Sequence, residues 1–187
     1  MARTKAFDEE EAVASAMRLF WRNGYAATTP QQLVDELGIG RGSLYNAFGS
    51  KRGLFERALR HYYEHETKRL IETLEGLDPP KERLARALSL VVAAAREDHR
   101  GCLVANTAVE LADDEEITAL VRRIFDRQES AFRAVVEEGR RAGVFTQDAA
   151  AAAALLLATI NGIRVLAKAD PDSPRLALMA EAALSAL

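Results

Sequence analysis

Residues 28–51 read Thr-Thr-Pro-Gln-Gln-Leu-Val-Asp-Glu-Leu-Gly-Ile-Gly-Arg-Gly-Ser-Leu-Tyr-Asn-Ala-Phe-Gly-Ser-Lys. The stretch predicts two short helices on either side of a glycine corner. Thr29 is a good N-cap, Pro30 suits a first helical position, and Gln32 completes a capping box. That helix ends near Leu37, because Gly38 follows it. The next begins after Gly40, where bare backbone replaces a capping side chain, and ends at Phe48 before Gly49. Leu33, Val34 and Leu37 form an inner face, Ile39 plugs the corner, and Leu44 and Phe48 pack back from the second helix. A helix braced in this way across a tight turn is suited to the major groove of DNA.

The residues left on the outside of the second helix suit that task. Arg41 can reach a guanine edge or a phosphate, Asn46 can pair with adenine, and Ser43 can donate or accept. Gly42 is small and permits close approach. Tyr45 can hydrogen-bond a phosphate through its hydroxyl. Thr28 or Thr29 can bind backbone oxygens at a helix N-terminus. Lys51 adds a point charge.

Working outward, helical periodicity accounts for the whole chain, with no convincing strand and nine helices in all. The first runs from about Asp8 to Asn23. A long fourth helix, capped by Ser50, runs from about Lys51 to Glu75. A fifth starts at Asp78-Pro79-Pro80 and ends near Asp98, and a short sixth covers about Leu103 to Leu111. The acids of residues 113–116 open a seventh, where the helix dipole favours them, and it ends near Ala142. The eighth runs from about Asp148 to Ala169. The ninth opens at Ser173-Pro174 and reaches the C-terminus.

The fold class is therefore all-α. The expected division is residues 1–50 as a three-helix DNA-binding domain, with its helix-turn-helix at about 29–48, and residues 51–187 as a ligand-binding and dimerisation domain. The fourth helix joins them.

The 187 residues are 49% hydrophobic and 28% charged, as in a soluble globular protein. No apolar run of 18 residues is read and no secretory signal, so no membrane span or partner is expected. Cys102 is the only cysteine, which excludes an internal disulfide and suits a reducing cytoplasm. Net charge is −3 but unevenly spread. Residues 1–70 carry 11 Lys+Arg against 9 Asp+Glu, and residues 71–187 carry 14 against 19. Acid thus lies mainly away from the proposed reading end, where phosphate would repel it.

Residues 19–55, LFWRNGYAATTPQQLVDELGIGRGSLYNAFGSKRGLF, resemble the N-terminal domain of the tetracycline-repressor (TetR) family. Phe20, Gly24, Tyr25, Thr28, Thr29, Gly38, Gly42, Leu44, Tyr45, Phe48, Ser50 and Lys51 match the family pattern. Gly40 departs where the family has Ser or Thr, and Ala47 where His is common, removing two phosphate contacts while leaving the packing pattern intact. The resemblance implies a homodimeric transcriptional repressor of a double-stranded, palindromic DNA operator. It implies a small-molecule inducer that binds the C-terminal domain and moves the fourth helix. It also implies dimerisation through helices 8 and 9, and both helices do carry more apolar residues than one small domain can bury.

Candidate ligand-binding groups are polar residues on mostly apolar helix faces: Tyr63, Cys102, Asn106, Gln128, Asn161 and Arg164. Cys102, near a helix N-terminus and beside His99 and Arg100, also raises an alternative, a thiol-based sensor of electrophiles or oxidants. His61 and His65 stand four apart, a spacing that can hold a metal. With no third ligand they are read as solvent-facing, and no metal or cofactor is expected. No nucleophile–base pair, carboxylate pair or three-ligand set is legible, so an enzyme is not expected. A helical ligand-binding module without DNA binding is the other competing class.

Overall fold

The computed structural model describes residues 7–187, so the first six residues of the expected reading domain lie outside it. Helix α1 (Glu9–Asn23) starts where Asp8 accepts from the amides of Glu10 (2.8 Å) and Glu11 (3.2 Å). Three acids fill its first turn, where the dipole favours them. In α2 (Pro30–Leu37) the capping box is complete: Thr29 Oγ1 accepts from Gln32 N, and Thr29 N donates to Gln32 Oε1. Helix α3 (Arg41–Phe48) has Gly40 as its N-cap, with no capping side chain, as the sequence indicates.

The rod called α4 consists of Lys51–Tyr62, a π-helical turn at Tyr63–Thr67, and Lys68–Leu74. Ser50 caps it by accepting from Gly53 N. The expected uniform helix is therefore interrupted, because one extra residue enters a single turn. Gly53 is required here. A Cβ at that position would lie 2.4 Å from the carbonyl oxygen of Phe48, so α4 could not leave α3 so sharply. The remaining helices are α5 (Pro80–Glu97), α6 (Leu103–Glu110), α7 (Glu115–Arg141), α8 (Ala149–Ala167) and α9 (Arg175–Ser185). Nine rods are thus described, all within a few residues of their expected bounds.

Two apolar cores form. The first joins Phe20 of α1, Leu33 of α2, Leu44 of α3 and Phe55 of α4 to Leu103 and Val104 of α6 and to α7 as far as Ile124. The second joins the end of α4 to α5, to α7 from Ala131 onward, and to α8 and α9. The first core therefore runs well past residue 50, since α6 and half of α7 belong to it. The π-turn of α4 and Gln128 of α7 fall at the seam between the two.

Arg83, almost fully buried, ties the rods together at the far end. It donates to the Leu74 carbonyl at 2.8 Å and pairs with Glu138 of α7. Helix α8 passes a length and composition test for crossing a membrane, with an 18-residue window of mean hydropathy 1.8. The expectation of no such run holds only for an unbroken one, since Thr159, Asn161 and Arg164 interrupt it. Only 39% of that window is buried, so α8 serves as a core helix with an uncovered apolar side.

Candidate nucleic-acid interface and the cavity behind it

The reading head is exposed. Arg41, Gly42 and Asn46 of α3 face solvent, and Ser43 and Tyr45 are half-buried. Behind them Leu44 is fully buried, Phe48 nearly so, and Val34, Leu37 and Ile39 pack against the same core. The guanidinium of Arg57 lies 5.0 Å from the Phe48 ring centroid and braces it from the α4 side. A short helix thus gets a fixed position from apolar contacts while its polar side chains stay free.

Thr29 remains exposed at the start of α2, its hydroxyl hydrogen free although the oxygen caps the helix. Thr28 must be corrected. It is fully buried, and its hydroxyl donates to the Gly24 carbonyl at 2.6 Å. It shapes the turn between α1 and α2 and cannot reach a phosphate. Lys51 is half-buried with Nζ 4.3 Å from the Tyr25 ring centroid, a cation–π placement. Partial burial lowers its pKa, and Glu110 opposes that shift.

Three contacts that the sequence did not reveal attach this head to the rest. At the C-terminal end of α6, the Glu110 carboxylate accepts from Tyr25 N (2.9 Å) and Ala26 N (2.7 Å). At the other end of α6, Trp21 Nε1 donates to the Gly101 carbonyl at 3.1 Å. Arg52 of α4 reaches Asp114 and Glu116 at the start of α7, both at 2.8 Å. Partners 60 to 85 residues apart in the chain leave no periodic signal. Helix α6 grips the reading domain at both of its ends.

The six ligand candidates separate clearly. Tyr63 opens the π-turn and packs against both cores. Cys102 is the N-cap of α6 and is almost fully buried in the first core. Asn106 is already engaged, donating to the Arg100 carbonyl at 3.0 Å and accepting from Lys168 at 3.4 Å. Gln128 is buried with both amide atoms unpartnered. Asn161 donates to the Leu157 carbonyl but has an unpartnered Oδ1. Arg164 is half-buried, and its Nη1 is buried without a partner.

Arg164 lines a cavity of about 430 Å³ together with Trp21, Tyr62, Glu66, Arg69 and Arg100. Burial holds the Tyr62 hydroxyl well above its ordinary pKa, and Cys102 beside it adds to the effect. Burial acts against the charge on Arg164, but Cys102 and Tyr62 more than offset it and its pKa is raised. Arg100 is committed elsewhere. It chelates Asp98, lowering that carboxyl's pKa through their hydrogen bonds, and lies 3.9 Å from the Trp21 ring centroid. A larger hollow of about 680 Å³ opens between the end of α1, α6 and α8. On its wall Asn106 and Glu110 are already bonded, and none of its polar side chains has a buried atom without a partner. His61 and His65 place their rings 4.1 Å apart, and among the described residues no group of three metal-binding side chains forms.

A braced two-helix reader on a long helical body with an internal cavity defines the class: a helix-turn-helix regulator. The matches to known proteins agree. Residues 12–58 match the model of bacterial regulatory proteins of the tetR family, and residues 77–164 match the tetracyclin repressor-like C-terminal domain. The HTH-type transcriptional regulator YezE of Bacillus subtilis (strain 168) is 31% identical over 194 residues, covering 100% of both chains. The HTH-type transcriptional repressor DhaR of Mycobacterium sp. (strain GP1) is 27% identical, over 80% of this chain and 75% of its own. A cysteine mutant of the TetR family transcriptional regulator CifR, solved with 26-bp double-strand operator DNA, superposes with a TM-score of 0.88 at 31% identity. That match covers 98% of this chain and 99% of the other. The chain belongs to the TetR family of transcriptional regulators.

Proposed function

We propose that this protein is a ligand-responsive repressor that binds operator DNA as a homodimer in the cytoplasm. Residues 1–50 act as reader, and residues 51–187 as sensor and dimerisation domain. The observation that carries the reading is the exposed row Arg41, Gly42 and Asn46, held in place by the buried Leu44 and Phe48. Arg41 and Asn46 read base edges; Ser43, Tyr45, Thr29 and Lys51 hold the phosphate backbone. Leu155, Val165 and Leu178 leave apolar surface exposed on α8 and α9, and a second copy covers it. A dimer places its two α3 helices about 34–36 Å apart or a multiple of it, to meet successive half-sites.

Gln128, Asn161 and Arg164 are the polar groups a small inducer satisfies. Tyr63, Cys102 and Asn106 support them through packing and through the α5–α6 turn. Displacement of α4 or α6 on ligand binding then moves the reading domain, because α6 holds it at both ends.

Gel shift on the DNA upstream of the protein's own gene tests the reading. A sequence-selective complex that weakens steeply with salt is expected. Arg41→Ala should weaken it by roughly 1–3 kcal/mol, as for a base contact, without lowering the melting temperature. Full affinity in both Arg41→Ala and Tyr45→Ala would show that these side chains do not read the operator, and the absence of any sequence-selective complex would favour a helical ligand-binding module over a DNA reader.

A second reading makes Cys102 the trigger. Its sulfur sits in a close-packed core at the N-cap of α6, so an adduct there would have to displace that helix. Normal release of DNA by a Cys102→Ser regulator treated with an electrophile would remove this reading.

A further inference from the structure

We propose that the cavity beside Arg164 binds a small amphipathic carboxylate, and that Trp21 senses it directly. The proposal rests on the ligand-responsive reading above and names the ligand class for it. Its starting point is an imbalance. Arg164 carries a permanent positive charge, yet its buried Nη1 has no hydrogen-bond partner and the side chain forms no ion pair among the described residues. Cys102, Tyr62 and the exposed Glu66 favour its charge, but no carboxylate among the described residues reaches ion-pair distance of the guanidinium. A buried guanidinium in this state is stabilised by an incoming oxyanion, which it can bind with short, charge-assisted bonds.

A cationic ligand is disfavoured. Of the three carboxylates on the wall, Glu66 and Glu97 are exposed, so water already satisfies them, and the half-buried Asp98 is held by Arg100. The unmet demand is positive and lies inside.

The apolar half of the ligand follows from the cavity's shape. Glu66, Arg69 and Arg164 also line an adjoining recess of about 150 Å³ whose other walls include Leu70, Leu90 and Val91. Leu90 is partly exposed at its rim. A carboxylate on Arg164 therefore has an apolar recess on one side, where a short alkyl chain removes surface from water. On the other side stand Trp21 and Tyr62, whose rings meet edge to face with centroids 5.0 Å apart. The two spaces together fall within the size range of small-molecule sites.

Trp21 links occupancy to DNA. It belongs to α1 and its Nε1 holds the Gly101 carbonyl at the entry to α6. A ligand wedged against it acts on the attachment between sensor and reader with no intervening element.

Trp21 is the only tryptophan in the chain, and it lines both this cavity and the larger hollow, so its fluorescence reports on both and the Arg164 variants tell them apart. The full-length protein would be titrated with octanoate and with octanamide, which matches it in size and lacks the charge. A saturable octanoate response is expected, with octanamide at least tenfold weaker. Arg164→Met should weaken octanoate at least tenfold, and Arg164→Lys should retain part of the affinity. Leu90→Asp, at the exposed rim where folding is not at risk, should also weaken octanoate. The proposal is overturned by the absence of a saturable response at millimolar octanoate, by equal affinity for octanamide, or by unchanged binding in Arg164→Met. A parallel gel shift without octanoate keeps the two readings separate: its failure would remove the DNA-binding function, whatever octanoate does.

Discussion

The reading domain and the sensor half treat their polar atoms in opposite ways. In the first, the buried Thr28 hydroxyl is bonded to Gly24, Thr29 and Gln32 cap each other, and Ser50 closes the start of α4. In the second, five buried side-chain atoms have no partner, on Arg83, Gln128, Asn161 and Arg164. An unmet buried hydrogen bond costs roughly 1–3 kcal/mol, so a domain does not gather several of them for stability. The difference is functional. A reader needs one fixed geometry, and its hydrogen bonds are closed. A sensor needs capacity that a ligand can use, and its hydrogen bonds are left open on Gln128, Asn161 and Arg164, while Arg83 Nε at the far end of the rods is the exception.

Both regions nevertheless rest on close-packed cores, and the largest effects should be equal on the two sides. Phe20 in the first core and Phe132 in the second are both fully buried. Truncation of either to Ala should cost about 3–5 kcal/mol in urea unfolding. Because α4 and α7 run through both cores, each variant should shift one cooperative transition. Two separate transitions would show that the halves are energetically independent and would weaken any coupling between cavity and DNA.

The contrast itself predicts opposite signs for two near-isosteric changes. Thr28→Val removes a made hydrogen bond and leaves the Gly24 carbonyl short of a donor, so it should destabilise by about 1 kcal/mol. Gln128→Met removes two buried unpartnered atoms at similar volume, so it should stabilise by about 1–3 kcal/mol. The same variant should respond less to inducer. A destabilised Gln128→Met protein would mean that Gln128 already has a partner, a trapped water for instance, and the comparison would fail on that side.

How much could be read beforehand follows the same division. The capping box at Thr29, the bare Gly40 start of α3, the Ser50 cap and the buried Leu44–Phe48 pair depend on neighbours within a few residues, and spacing alone reveals them. Thr28 was misplaced because the sequence marks it as a cap-region threonine and cannot show its hydroxyl turning back to Gly24. The π-turn at Tyr63–Thr67 was invisible because its composition is that of ordinary helix. Glu110 on Tyr25 and Ala26, Arg52 on Asp114, and Trp21 on Gly101 bring together residues remote in the chain. No local pattern encodes them, yet they turn two folded halves into one device. Three of the six ligand candidates, Gln128, Asn161 and Arg164, carry unpartnered atoms, and burial alone does not mark them, since Cys102 is buried more fully than Asn161 or Arg164; which polar atoms find a partner depends on tertiary contacts that periodicity does not encode.

The smallest effect tests the junction. His61 sits on α4 just before the π-turn, half-buried, with its ring tilted 42° against that of His65. Burial lowers its pKa from the ordinary 6.5, His65 and Arg18 lower it further, and Glu10 and Glu64 pull it back. The folded protein therefore binds this proton less readily than the unfolded chain does. Stability from this source is fully present above pH 6.5 and is lost as pH falls through the depressed folded value. A modest fall in melting temperature is expected between pH 7 and the acid side of that window, and His61→Gln should flatten it. Because His61 belongs to neither the reading face nor the Arg164 cavity, operator affinity at pH 7 should be unchanged in that variant. A pH profile identical to that of the parent protein would show that the charge state of α4 at the junction contributes nothing to holding the two halves together.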